Sequence, residues 1–214
     1  MSLEEKKVSY QTTNTYETLN TLTDKTKNVW IVLHGIGYLS KYFISYFNEL
    51  NADENYIIAP QAPSKYYLKS NYKYVGASWL TKENRILETE NVLQYLDAVS
   101  ASEQVPDNCK LIIFGFSQGV SIATRWVASR QLKCAKLVVY AGGIPKELTS
   151  DDFKCIHTYN TEVDVLVGDK DQYLNEEVLK SETKMIENLF QGKARLQIFE
   201  GGHEMKKALI NSLV

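Results

Sequence analysis

The stretch Gly115-Phe116-Ser117-Gln118-Gly119 places a serine between two glycines, after the apolar run at residues 111–114 and before a helix-like stretch. A G-x-S-x-G pattern is weak alone. Between a strand and a helix it describes a sharp, strained turn that lifts the serine toward solvent. Gly115 and Gly119 lack a Cβ, so strand and helix can close around that turn. A serine hydroxyl is a weak nucleophile until a neighbouring base takes its proton. The sequence holds three histidines, His34, His157 and His203. His203, in Gly201-Gly202-His203-Glu204, follows the last apolar run on a loop from which a late histidine can reach back to the serine. His34 ends an early strand and reads as a structural histidine bonding the loop backbone. His157 lies in a polar segment and reads as surface or structural.

The acid that orients such a base belongs between serine and histidine in chain order. Val165-Leu166-Val167-Gly168-Asp169-Lys170-Asp171 ends a strand in a loop with two aspartates. Asp171, three residues past Gly168, is favoured; Asp169, nearer the strand end, is expected to shape the turn. The acid would fix the imidazole tautomer and stabilise the imidazolium without taking the proton. A developing oxyanion needs donors as well. The backbone N–H of Gln118 opens the helix after Ser117, where the helix dipole favours negative charge. The turn His34-Gly35-Ile36-Gly37 is expected to supply the second donor, the N–H of Ile36.

These residues need a scaffold of alternating strands and helices. Apolar runs at 29–33, 56–59, 111–114, 137–140, 163–167 and 196–199 are mostly continuous, as in parallel strands buried on both faces. Helical stretches are predicted at 40–50, 83–100, 118–129, 176–190 and 204–213. That alternation implies a mostly parallel central sheet with helices on both faces. Residues 8–13 and 16–22, with a turn near Asn14, are predicted to form an antiparallel hairpin at the N-terminal sheet edge. Residues 60–80 hold two prolines, four tyrosines and Trp79 with little periodicity. They read as a long loop forming one wall of an acyl or aromatic pocket, with Trp79 its best pocket residue.

The chain of 214 residues fits a single domain, 1–214. Its charge of −2 and pI near 6.0, with no basic stripe, argue against a nucleic-acid partner. No stretch approaches the roughly 20 apolar residues of a membrane span, and the start of the chain lacks the apolar core of a signal peptide. Cys109, Cys134 and Cys155 are widely spaced and form neither a metal-type pair nor a disulfide framework. A soluble, cytoplasmic setting is the simplest expectation. Monomer and homodimer are both compatible with the sequence.

The pieces together resemble the phospholipase/carboxylesterase family of α/β hydrolases, which includes the acyl-protein thioesterases. The resemblance is carried by Leu33-His34-Gly35-Ile36-Gly37, Gly115-Phe116-Ser117-Gln118-Gly119, Gly168-Asp169-Lys170-Asp171 and Gly201-Gly202-His203, with Pro60-Gln61-Ala62-Pro63 and Ser78-Trp79 between. They occur in family order over most of the chain. The resemblance implies the α/β-hydrolase fold, Ser117 as nucleophile, Asp171 as acid, His203 as base, and Ile36 and Gln118 as oxyanion donors. It implies no metal and no organic cofactor, and small acyl esters, lysophospholipids or S-acyl groups as substrates. The expected function is a serine carboxylesterase. A thioesterase or lysophospholipase on the same triad is the alternative, and a catalytically silent hydrolase-fold binding protein the alternative from another class. Two departures fall where substrate would be recognised. Residues 66–74 are unusually aromatic, and Gln172-Tyr173-Leu174 stands where the family usually has valine-proline.

Overall fold

The computed structural model describes residues 3–173 and 176–214, so Met1, Ser2, Leu174 and Asn175 lie outside the described residues. Seven strands form one sheet: β1 (Tyr16–Leu19), β2 (Asn28–Leu33), β3 (Asn55–Pro60), β6 (Lys110–Phe116), β7 (Lys136–Tyr140), β8 (Glu162–Gly168) and β9 (Ala194–Phe199). Their order is β1-β3-β2-β6-β7-β8-β9. All neighbours are parallel except β1, which runs antiparallel to β3 with Tyr16 opposite Pro60 and Leu19 opposite Ile57. The sheet edge is antiparallel, but not through a hairpin. Residues 8–13 are exposed and form no strand, and β1 pairs with β3 instead. Its side chains, Tyr16, Glu17, Thr18 and Leu19, are exposed or half-buried, as suits an edge strand held by one buried neighbour.

A second sheet, of two strands, comprises β4 (Ser64–Tyr67) and β5 (Val75–Ser78), paired antiparallel with Ser64 opposite Ser78. It corrects the expectation of a long structureless loop across residues 60–80. The tyrosines at 66, 67, 72 and 74 hide a short hairpin because most of its side chains face solvent and leave no apolar alternation.

The helices are α1 (Ser40–Phe43), α2 (Arg85–Glu103), α3 (Gln118–Arg130), α4 (Lys154–Thr158), α5 (Glu176–Phe190) and α6 (Lys207–Asn211). Short 3-10 turns extend α1 through Ile44–Phe47 and precede α4 at Ser150–Phe153. Side chains alternate across a strand, so successive residues of β2 enter opposite cores. Val29, Ile31 and Leu33 join an aliphatic layer with Leu93 and Leu96 of α2, Ile122 and Trp126 of α3, and Ile186 of α5. Trp30 and Val32 join an aromatic layer with Phe43, Phe47, Phe114, Phe116, Tyr140 and Ile210. Burial on both faces explains why these strands read as unbroken apolar runs.

Candidate active site

β6 ends at Phe116, and α3 begins at Gln118. Ser117 makes the whole turn between them at φ 54°, ψ −119°, a strained backbone for a residue with a Cβ. The surrounding packing holds that strain. A Cβ on Gly119 would lie 2.0 Å from the Leu33 carbonyl oxygen, and one on Gly115 would lie 2.7 Å from the backbone of Gly119. Only glycine at both positions lets α3 sit this close to the ends of β2 and β6. The Ser117 N–H donates to the Tyr140 carbonyl at 2.9 Å, tying the turn to β7.

His203 and Asp171 arrive from loops beyond β9 and β8. The His203 Nε2 lies 2.9 Å from the Ser117 Oγ, across 86 residues of sequence. Its Nδ1 lies 2.7 Å from the Asp171 Oδ2. Asp171 is buried, and its other oxygen accepts the N–H of Tyr173 at 3.0 Å. The Asp169 carboxylate accepts the Gly201 N–H at 2.8 Å, joining the two loops rather than closing its own turn. Gly168 allows the same approach, since a Cβ there would lie 2.4 Å from the Gly201 oxygen. Further on, the buried Tyr140 hydroxyl accepts the Lys206 N–H at 3.1 Å and anchors the chain just past His203. Burial pushes the Tyr140 pKa up to about 12, so the phenol stays neutral.

The imidazole of His203 touches two aromatic rings. Phe116 is tilted against it at 5.3 Å, and Tyr173 meets it edge-on at 4.9 Å. Tyr173 was visible in the sequence only as a departure from the family pattern. Its position beside His203 depends on the loop after β8, which no local pattern predicts.

The turn after β2 lies beside Ser117. A Cβ on Gly35 would come within 3.1 Å of the Ser117 Cβ, and Gly37 turns at φ +86°. The N–H groups of Ile36 and Gln118 have no hydrogen-bond acceptor among the described residues. The Gln118 side chain is fully used: its Oε1 accepts the Trp79 N–H at 2.9 Å, and its Nε2 donates to the Leu80 carbonyl at 2.8 Å.

Trp79 is not a pocket wall. It is 1% exposed, and its indole N–H donates to the His34 carbonyl at 2.8 Å. A buried indole needs an acceptor, and the end of β2 provides one, which draws the ring beneath the site. The tyrosines of the hairpin do not line the cleft either. His34, fully buried against Trp79, is structural. Its Nδ1 lies 2.8 Å from the Gly35 carbonyl, and its Nε2 accepts the Ala62 N–H at 3.2 Å. That pairing selects the neutral tautomer protonated on Nδ1. Burial pulls its pKa down to about 4, against a smaller upward pull from the Gly35 carbonyl. His157 is exposed on α4.

A cleft of about 570 Å³ opens over Ser117, lined by Ile36, Tyr38, Phe116, Gly142, Tyr173 and His203. It lies at the carboxyl ends of the parallel strands, where open α/β sheets bind ligands. A wider recess of about 960 Å³ lies at the opposite strand ends, with mixed charges including Lys25, Asp53, Glu54 and Lys136. Among the described residues, no three His, Cys, Asp or Glu side chains converge as a metal site, and no helix is long and apolar enough to cross a membrane.

Sheet order, the turn at Ser117 and the cleft above it define an α/β hydrolase. The model of the phospholipase/carboxylesterase family matches residues 14–213, and the chain belongs to that family. Solved structures share the fold at low identity. Zea mays acyl-protein thioesterase 2 is 14% identical with a TM-score of 0.70, covering 94% of this chain and 96% of its own. A phospholipase/carboxylesterase from Dyadobacter fermentans is 20% identical with a TM-score of 0.63, covering 95% and 97%. The Bacillus cereus carboxylesterase is 14% identical with a TM-score of 0.65, covering 94% and 91%. No curated protein matches the sequence.

Proposed function

We propose that this protein is a serine hydrolase that cleaves carboxylic esters through an acyl-enzyme on Ser117. The observation that carries this reading is the continuous hydrogen-bonded line from Ser117 Oγ through His203 to Asp171, at 2.9 and 2.7 Å. His203 takes the serine proton as Oγ attacks the acyl carbon, and Asp171 stabilises the imidazolium. The oxyanion is held by the unpaired N–H groups of Ile36 and Gln118. The leaving group takes the proton from His203 and departs. Water then attacks the acyl-enzyme by the same route, returning the serine and releasing the acid.

A thioester is an equally good electrophile for this site, and the likeness to an acyl-protein thioesterase supports testing one. A silent binding protein of this fold would lack an activated serine. The test is turnover of p-nitrophenyl esters from acetate to palmitate, with fluorophosphonate labelling alongside. Ser117→Ala is expected to fold normally, resist the label and lose at least about 10³-fold in kcat. Wild-type rates in purified Ser117→Ala would overturn the assignment.

A further inference from the structure

A smaller cavity of about 190 Å³ lies beneath α5, walled by Val165 and Val167 of β8, Leu196 of β9, and Val178 and Ile186 of α5. It shares Ala141, Gly142, Gly143 and Tyr173 with the cleft over Ser117. The two spaces adjoin across glycines that put no side chain between them. A Cβ on Gly143 would meet nothing within 4 Å.

α5 presents Val178, Glu182 and Ile186 to this cavity, one helical turn apart. A helix face turned toward an apolar cavity is usually apolar, yet a carboxyl stands at the centre of this one. Glu182 is half-buried and, among the described residues, its side chain has no hydrogen bond and no ion pair within 4 Å. Burial pushes its pKa up, and the more distant Lys146 only partly opposes this. Asp171, the other carboxylate on the cavity, is already held by His203 and the Tyr173 N–H. A half-buried carboxyl without a hydrogen-bond partner is incompletely solvated, and a ligand can supply what it lacks.

We infer that this cavity takes the acyl group of the substrate, and that Glu182 selects a short acyl chain bearing a hydroxyl group. The inference rests on the hydrolase reading and adds a substrate class to it. The acyl group stays on Ser117 after the alcohol or thiol has gone. It suits the smaller space, which leaves the open cleft as the exit for the leaving group. The volume equals about six liquid waters at ~30 Å³ each, too little for a long fatty chain. A hydroxyl can donate to or accept from a carboxyl in either protonation state, whereas an ammonium would add to the positive charge of Lys146.

The test compares p-nitrophenyl 3-hydroxybutanoate with butanoate, and 6-hydroxyhexanoate with hexanoate, in wild type, Glu182→Leu and Glu182→Gln. Wild type is expected to prefer the hydroxy ester of at least one pair by about tenfold in kcat/KM, the worth of one hydrogen bond. Glu182→Leu should abolish or reverse that preference. Glu182→Gln, which keeps the volume and a polar end, should retain part of it and serves if the leucine variant does not fold. A preference for the plain esters, or a ratio unchanged in both variants, overturns the inference. Calorimetric binding of the corresponding methyl esters to Ser117→Ala, with and without Glu182→Leu, repeats the comparison without turnover. It therefore decides on Glu182 even if the hydrolase reading fails through absence of labelling and turnover. Finally, 2-hydroxyethyl butanoate is compared with ethyl butanoate. A Glu182-dependent preference confined to that pair would place the cavity on the alcohol side and overturn the acyl assignment.

Discussion

Two aspartates two residues apart serve different ends here. Asp171 faces His203, while Asp169 accepts the Gly201 N–H and joins the loop after β8 to the loop after β9. Asp171→Asn is expected to lower kcat by about 10³- to 10⁴-fold, because the amide no longer holds the right imidazole tautomer. Asp169→Ala should cost about 1 kcal/mol of stability and far less activity. Equal kcat losses in the two variants, measured on one ester, would contradict this division. His34 makes a pH prediction. Its folded pKa of about 4 lies below the unfolded value of about 6.5, so the unfolded chain binds the proton first. Stability from the neutral, buried His34 is complete above about pH 6.5 and is lost as pH falls toward 4, to a limit of about 3 kcal/mol. Urea unfolding of wild type and His34→Gln at several pH values checks this: the variant should lack that part of the decline.

At the scale of elements, the β4–β5 hairpin is docked on the turn that carries the Ile36 N–H. The Gly37 N–H donates to the Ala77 carbonyl at 2.8 Å, and the Ala77 N–H donates to the Tyr38 carbonyl at 3.1 Å. Gly76 makes the docking possible, since a Cβ there would lie 2.5 Å from the Gly37 oxygen and 2.7 Å from its Cα. Backbone cannot yield as a flexible side chain would. Gly76→Val is therefore expected to destabilise by about 1–3 kcal/mol and to lower kcat/KM at least about tenfold by shifting the turn. Ester kinetics with thermal melts would test it, and an unchanged kcat/KM would show that the turn does not depend on the hairpin.

The whole molecule separates its two layers by composition. One face of the sheet packs largely aliphatic residues against α2, α3 and α5, while the other stacks aromatic rings between the sheet, α1 and α6. Phe114 lies in the aromatic layer, fully buried, 5.2 Å from Phe47 and 5.8 Å from Tyr140 by ring centroid. Tyr140 in turn holds the backbone past His203, so this layer supports the site from below. Phe114→Ala should cost about 3–5 kcal/mol, a large share of the 5–15 kcal/mol that domains usually hold. Chemical denaturation measures it. A loss under about 1 kcal/mol would mean that the layer closes over the missing ring.

Much of this was legible in one dimension because it depends on local pattern. The continuous apolar runs at 29–33, 56–59, 111–114 and 137–140 mark strands buried on two faces, and the G-x-S-x-G turn sits between a strand and a helix by its own chemistry. The order Ser117, Asp171, His203 follows from the order of strand ends. Other features depend on groups far apart in sequence meeting in space. The partner of β1 was set by the edge of β3 that β2 leaves open, not by the adjacent residues 8–13. Trp79 went inward because the His34 carbonyl, 45 residues away, accepts its N–H. Tyr173 became a neighbour of His203 through a loop whose course no periodicity encodes. Glu182 looks like an ordinary helix glutamate until β8 and β9 close an apolar cavity against it. Periodicity records which face of an element is buried; it does not record what that face meets.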